Sequence, residues 1–286
     1  MSKMSEAVGE AAQKTEQALA KDFSPGLHDF LKDTEHKTGQ VAENAAKTES
    51  EHVRTLEELR GRMHDKETPV YRLRDDRVVE RLTADGPRAL TQEDRDRLGL
   101  QLDKKDRVRK RPKGDKSPYN LPDKGKDEER PLLDHSTQVP LGSTDLAEAT
   151  QLARHEDKSY GNYSKDGFTL NNYAAVRYGK KGDADSFILV GRSRSPVHSE
   201  RILGIPFKQA GTEGGLTELY TERAPCSTGV NCSAWMRHFL PSSVAVSHSV
   251  EYGASDASQK AGNAIMEHYV NRLWPKAPRK GYVGAG

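Results

Sequence analysis

Regular hydrophobic periodicity begins only after Gly161, and the order in which its periods change constrains the fold more than any other feature of the chain. Phe168 to Tyr178 and Ser186 to Arg192 read as two strands, joined by Gly179-Lys-Lys-Gly-Asp-Ala-Asp, which is hairpin-loop chemistry. A helix is expected to open near Ser195-Pro196, with serine as its cap and proline at the first helical position. Leu216 to Glu222 is the next strand. From about Asn231 a helix sets Cys232, Trp235, Met236 and Phe239 at i, i+3, i+4 and i+7, which buries one face. Val244, Val246, His248, Val250 and Tyr252 alternate along a strand, and a helix from Ser258 to Leu273 carries Ala261, Ile265, Tyr269 and Leu273 on one side. The order β-β-α-β-α-β-α predicts an α/β fold at the C-terminus, a three-layer α/β/α domain in which helices cover a central sheet.

The chain before this domain has a different texture. With 34% hydrophobic, 31% charged and 6% aromatic residues over 286 positions, the sequence is too polar for one core along its whole length, so part of it is expected to be extended or disordered. Residues 1–103 read as a polar leader, partly helical and partly disordered. Met1 to about Leu59 is rich in Ala, Glu and Lys with sparse apolar positions, and Val70 to Leu100 sets a few Val and Leu among many Asp and Arg, which makes it marginally foldable. Residues 104–143 read as a basic, Pro-rich linker, since eight of the thirteen residues from Lys104 to Lys116 are Lys or Arg. Such a run suits phosphates and equally suits a solvated tether. The catalytic domain is placed at 144–286, opened by a short helix that Thr144 caps, and everything before Thr144 is expected to be dispensable for catalysis. No apolar run reaches the roughly 18 residues that a membrane span needs, and Met1 to Ala20 lacks the apolar stretch of a signal peptide. The reading is a soluble chain without a membrane partner, cytoplasmic or exported by a non-classical route. A net charge of +2 says nothing about partners.

Two cysteines do not make a disulfide framework, and their closeness, Cys226 and Cys232, suits a metal. A hydrolytic zinc site needs three protein ligands and an open position for water. His198, Cys226 and Cys232 supply three, and two thiolates balance the charge of Zn²⁺. Glu200 is placed to move protons. Residues i and i+2 stand about 200° apart round a helix, so His198 and Glu200 converge only on something lying off the helix end. Cys226 is expected at the entrance of the next helix, after a sharp turn at Pro225, where backbone N–H groups favour thiolate. The alternative for all three is a pair of ordinary buried cysteines and an unrelated histidine.

His198-Ser-Glu200, Pro225-Cys226 and Cys232 together resemble the cytidine deaminase superfamily, whose signature is H-x-E followed by P-C-x-x-C or a somewhat longer interval. Thr221-Glu-Arg-Ala-Pro-Cys226 through Cys232-Ser-Ala-Trp looks like the deaminase domains at the C-termini of bacterial polymorphic toxins. The resemblance covers Asn171 to Leu273. It implies that His198, Cys226 and Cys232 bind Zn²⁺, that Glu200 is the catalytic acid/base, and that the reaction converts cytosine to uracil in nucleic acid. It also implies a toxin effector with a possible cognate immunity protein. The sequence departs from the signature in placing five residues between the cysteines, and Gly229 is expected to fold that loop back. By the same resemblance Asn171 and Asn172 stand where superfamily members contact sugar or base, although asparagine there also suits a turn.

Trp235 could stack on a nucleotide or belong to the core, and His248 could line the pocket or be a satisfied core side chain. Arg194, with Arg192 and Arg201, flanks the His-x-Glu element and suits phosphate contacts. From Lys165 onward fifteen Lys or Arg face ten Asp or Glu, which favours a polyanion. Single-stranded DNA or RNA is the expected substrate, because the attacked ring carbon lies inside the stack of a duplex. Two alternatives remain: a deaminase of free nucleosides, which has no use for the long polar leader, and a non-catalytic zinc-stabilised interaction module, which has no use for Glu200.

Overall fold

A computed structural model describes residues 54–63, 68–113, 117–121, 130–165 and 167–274, and the readings made for residues 1–53 lie outside them. An eight-stranded mixed sheet is formed by β1 (Val70–Leu73), β2 (Val79–Thr83), β3 (Gly86–Arg88), β4 (Thr137–Gln138), β7 (Tyr173–Tyr178), β8 (Phe187–Arg192), β9 (Leu216–Arg223) and β10 (Ala245–Val250), in the order β3-β2-β1-β8-β7-β9-β10-β4. A separate hairpin pairs β5 (Asn162–Ser164) with β6 (Gly167–Thr169). The helices are α1 (54–63), α2 (Gln92–Leu98), α3 (Asp145–Glu156), α4 (Ser199–Ala210), α5 (Cys232–Phe239) and α6 (Asp256–Leu273).

The pleat sorts side chains onto two faces. Ala174, Val176, Phe187 and Leu189 enter one core with Leu203 and Phe207 of α4 and Trp235 and Met236 of α5. Their neighbours Tyr173, Ala175, Ile188 and Val190 enter the other with Leu59 of α1 and Leu146 and Leu152 of α3. The α/β fold with three layers is therefore as the periodicity predicts. Strands β1, β8, β9 and β10 run parallel, with β7 antiparallel between β8 and β9, so the chain leaves β8 and β9 at one edge of the sheet. At that edge α4 and α5 begin. Gly204 lets these helices meet closely, since a Cβ there would come within 2.7 Å of the Trp235 ring.

Two segments that the sequence keeps outside the domain belong to this sheet. Val70–Leu73 pairs in parallel with β8 along its whole length, and Tyr71, Leu73, Val79, Leu90 and Leu98 share the core of α4 and α5. The many Asp and Arg residues that make Val70 to Leu100 look marginal satisfy one another. Asp94, 1% exposed, accepts hydrogen bonds from Tyr71 Oη (2.9 Å), Arg81 (2.9 Å), Arg88 (2.7 Å) and Thr91 N (2.9 Å), and Arg72 joins Glu80 and Asp157. In the stretch expected to be linker, Val108 is buried, Tyr119, Leu121 and Leu133 pack on the same core, and β4 extends the sheet beside β10. Residue 144 is therefore not a boundary between linker and domain.

Smaller differences have local causes. The run Phe168 to Tyr178 divides, Phe168 joining the hairpin under Tyr160, Val270 and Trp274 while β7 begins at Tyr173. Helix α4 begins at Ser199 with His198 as its N-cap residue, because Ser195-Pro196, a cis peptide, lies in a turn that Arg194 and Val197 close. On α6 the buried row is Gly262, Met266 and Val270, and Ile265 is half exposed. Rows one residue apart have the same spacing in sequence, so periodicity alone does not choose between them. Arg154 and Glu222 form an ion pair with no exposed surface across α3 and β9, and Arg154 also donates to Ser159 O and Asn171 O. Among the described residues no helix is long and apolar enough to cross a membrane.

Candidate active site

The edge where β8 and β9 end brings the two halves of the constellation together. His198 has extended backbone (φ −81°, ψ 154°), so its ring stands off the end of α4 while Glu200 lies in the first turn. The five residues between the cysteines fold back on themselves. Asn231 N donates to Thr228 O (3.0 Å), and Gly229 and Asn231 both take left-handed conformations, with φ of 63° and 49°. Glycine and asparagine are the residues that tolerate that geometry. Asn231 Oδ1 then caps α5 by accepting from Ala234 N (3.0 Å), and Cys232 becomes its first residue. The return brings Cys232 N–H to Cys226 Sγ (3.2 Å), so the sulfur of Cys226 sits at a helix N-terminus although its backbone precedes the helix by six residues.

One ligand atom each from His198, Cys226 and Cys232 lies within 4.8 Å of the other two, and Cys226 Sγ is 3.5 Å from His198 Nδ1. Sulfur and nitrogen ligands arranged tetrahedrally at ordinary zinc distances stand roughly 3.5–3.8 Å apart. The donor set and its spacing thus fit a metal ion with one position left over. Both cysteines are free thiols. The hydrogen bond from the Cys232 thiol, opposed by burial and helped by His198, lowers the Cys226 pKa to about 4. The same Cys226 contact and burial push the Cys232 thiol up, and the bond to Cys226 raises His198.

Glu200 is 3% exposed, and burial raises its carboxyl pKa above the ordinary value. Each of its oxygens receives one hydroxyl: Ser199 Oγ donates to Oε2 (3.2 Å) and Thr221 Oγ1 to Oε1 (3.3 Å). Asn172 sets both hydroxyls. Its Oδ1 accepts from Arg223 N (3.0 Å), which fixes the amide orientation, and its Nδ2 donates to Ser199 Oγ (3.0 Å) and Thr221 Oγ1 (2.7 Å). A hydroxyl that accepts from the amide keeps its own hydrogen for Glu200.

The other sequence candidates fall elsewhere. Asn171 is exposed, and its carbonyl is tied to Arg154. Trp235 has no exposed surface and donates from Nε1 to Tyr119 O (2.9 Å), so its ring is core and has no face open for stacking on a nucleotide. Arg194 donates to Asp75 O and Arg192 pairs with the Asp75 carboxylate, while Arg201 is buried and donates to Val230 O. His248 is buried between Ser136 Oγ (2.8 Å) and Glu251 (2.9 Å). It is the satisfied side chain of the two readings. Sequence reasoning misses Ser199, Thr221 and Asn231. The first stands inside the His-x-Glu motif and the last just before Cys232, but nothing in their spacing signals a hydrogen-bond role.

Residues 169–268 match the family described as Xanthomonas-like deaminase. That span holds His198, Glu200, Cys226 and Cys232. No curated protein and no solved structure matches the chain. The C-terminal part of the chain therefore carries a deaminase domain, and a deaminase is a hydrolase acting on a C–N bond.

Proposed function

We propose that this domain is a zinc-dependent deaminase that converts cytosine to uracil in single-stranded nucleic acid, and that the chain is a toxin effector whose natural partner is a cognate immunity protein. The observation that carries the chemistry is the convergence of His198, Cys226 and Cys232 on one point with the Glu200 carboxyl beside them. A zinc ion held by these three side chains would supply the Lewis acidity that makes a water a nucleophile near neutral pH. The residues of the chain do the rest. Glu200, held by the hydroxyls of Ser199 and Thr221, takes a proton from the attacking water and returns it to the ring nitrogen. It then takes the second proton from the hydroxyl now on the ring carbon and passes it to the amine, so that the C–N bond breaks, a carbonyl is left and ammonia departs. Burial raises the pKa of this carboxyl, which makes it a stronger base than an exposed glutamate.

The polymer substrate is supported by the cationic excess of the C-terminal part and by the cost of extracting a base from a duplex, a few kcal/mol that a single strand avoids. Glu200→Gln tests the mechanism. Turnover on a cytosine-containing oligonucleotide should fall by about 10²-fold or more, with zinc content and melting temperature equal to those of the parent. Retained activity overturns the role of Glu200. Free cytidine processed as efficiently as the oligonucleotide, with no dependence on salt, replaces the polymer reading with a metabolic one.

A further inference from the structure

Three arginines near the His-x-Glu element suit phosphate contacts by sequence, and each is engaged within the protein. Arg192 pairs with Asp75, Arg194 donates to the carbonyl of the same residue, and Arg201 is 8% exposed and bonded to Val230 O. Pairing of this kind recurs among the described arginines: Arg95 meets Asp106, Arg107 meets Asp103, and Arg237 meets Asp134. A run of four cations departs from it. Arg109, Lys110, Arg111 and Lys113 follow one another directly after the buried Val108, and none forms an ion pair among the described residues. Arg109, Lys110 and Lys113 are exposed and Arg111 is half-buried.

This stretch is held at both ends near the catalytic helices. Before it, Arg109 N donates to Gln101 O (3.2 Å) and Val108 enters the core; beyond it, Tyr119 packs on that core and its carbonyl receives Trp235 Nε1 of α5 (2.9 Å). Arg201 lies over the Trp235 ring, 5.9 Å from its centroid, and burial, with the positive charge of Arg201 second, lowers the pKa of Arg111. Arg201 Nε has no hydrogen-bond partner. Four successive cations with no ion pair among the described residues, the third of them within electrostatic reach of the buried Arg201 beside Glu200, suit an anion from outside the chain.

We propose that Arg109, Lys110, Arg111 and Lys113 form a track for the phosphodiester backbone of the single-stranded substrate and lead it to the Glu200 site. The proposal rests on the polynucleotide reading above. It places substrate capture upstream of the residues that match the deaminase family. Residues 104–113 are then no tether, because Val108 is anchored in the core.

The test uses the full chain with zinc bound and two labelled oligomers of about 12 nucleotides, oligo-dT and oligo-U, which contain no cytosine and so report binding without turnover. Fluorescence anisotropy is followed from about 50 to 200 mM salt. The variant R109Q/K110Q/R111Q/K113Q should bind at least about ten-fold more weakly at low salt, with the slope of log K against log salt reduced by about 2 to 3. K110Q/K113Q changes only exposed side chains and should fall between that variant and the parent. K158Q/K165Q/K180Q/K260Q removes four exposed lysines elsewhere and should bind like the parent. Parent-like affinity and slope in the four-fold track variant overturn the proposal, as does an equal loss in the control. A parent that binds neither oligomer removes the polynucleotide reading itself. Unequal losses on DNA and RNA identify which backbone the track prefers.

Discussion

Asn172 is the residue at which sequence and structure assign different work to one side chain. The resemblance gives it a contact with sugar or base, whereas all its amide hydrogen bonds run inward, to Arg223 N, Ser199 Oγ and Thr221 Oγ1. Through the two hydroxyls it orients both oxygens of Glu200. In Asn172→Ala the hydroxyls lose their common donor and are free to turn away. The loss of one or two hydrogen bonds of about 1 kcal/mol each predicts a fall in kcat of roughly ten-fold, with KM and zinc content unchanged. Steady-state kinetics on an oligonucleotide decides between the two assignments. A rise in KM at constant kcat would return Asn172 to direct substrate contact. A comparable distinction applies to the cysteine interval, where Gly229 is legible as a turn residue but the cap that makes Cys232 the first residue of its helix comes from Asn231.

At the scale of elements, the segment β1-β2-β3-α2 folds on few apolar residues because its charges close on themselves around Asp94. Burial pushes the Asp94 carboxyl up, but hydrogen bonds from Thr91, Arg88 and Tyr71 outweigh it and hold the group well below the usual carboxylate range. A folded pKa below the unfolded value contributes stability that is present above the ordinary carboxylate pKa of about 4 and is lost as pH falls through the folded one. Asp94→Ala should therefore cost about 3 kcal/mol near neutral pH, since it strips the partner from two arginines and a tyrosine. The gap between parent and variant should narrow as pH drops below about 4. Thermal melts across that range measure it, and a gap independent of pH would show that Asp94 acts by packing alone.

At the scale of the molecule, the sheet does not end where the family match ends. β1 hydrogen-bonds to β8, the strand that leads into His198, and Asp75 just beyond β1 holds Arg192 and Arg194 on the same connection. A chain beginning at Thr144 would expose the edge of β8 and the core side chains that Tyr71, Leu73, Val79 and Val108 cover. We expect such a chain to be insoluble or to lack fixed tertiary packing, by near-ultraviolet circular dichroism and by zinc retention against a chelator, while the full chain is folded. A truncated chain that melts cooperatively and deaminates like the parent would restore the expectation that everything before Thr144 is dispensable.

The amino-acid order by itself determined what is local. Apolar runs and helical spacing after Gly161 specify strands, helices and layers, because the central strands bury both faces and the helices bury one. His198, Glu200, Cys226 and Cys232 were legible because their side-chain chemistry is rare in combination, although local signals open the first helix at Ser195-Pro196 instead of Ser199 and put the backbone of Cys226 at a helix entrance that only its sulfur reaches. Only the tertiary structure decided what depends on partners distant in sequence. Arg and Asp in Val70 to Leu100 read as solvent-loving until Asp94 meets Arg81 and Arg88, and Asn172 reads as a surface turn residue until β9 and α4 supply Thr221 and Ser199. A polar side chain belongs to the surface or the interior according to whether its hydrogen bonds and charge are matched there, and that match is made across the fold.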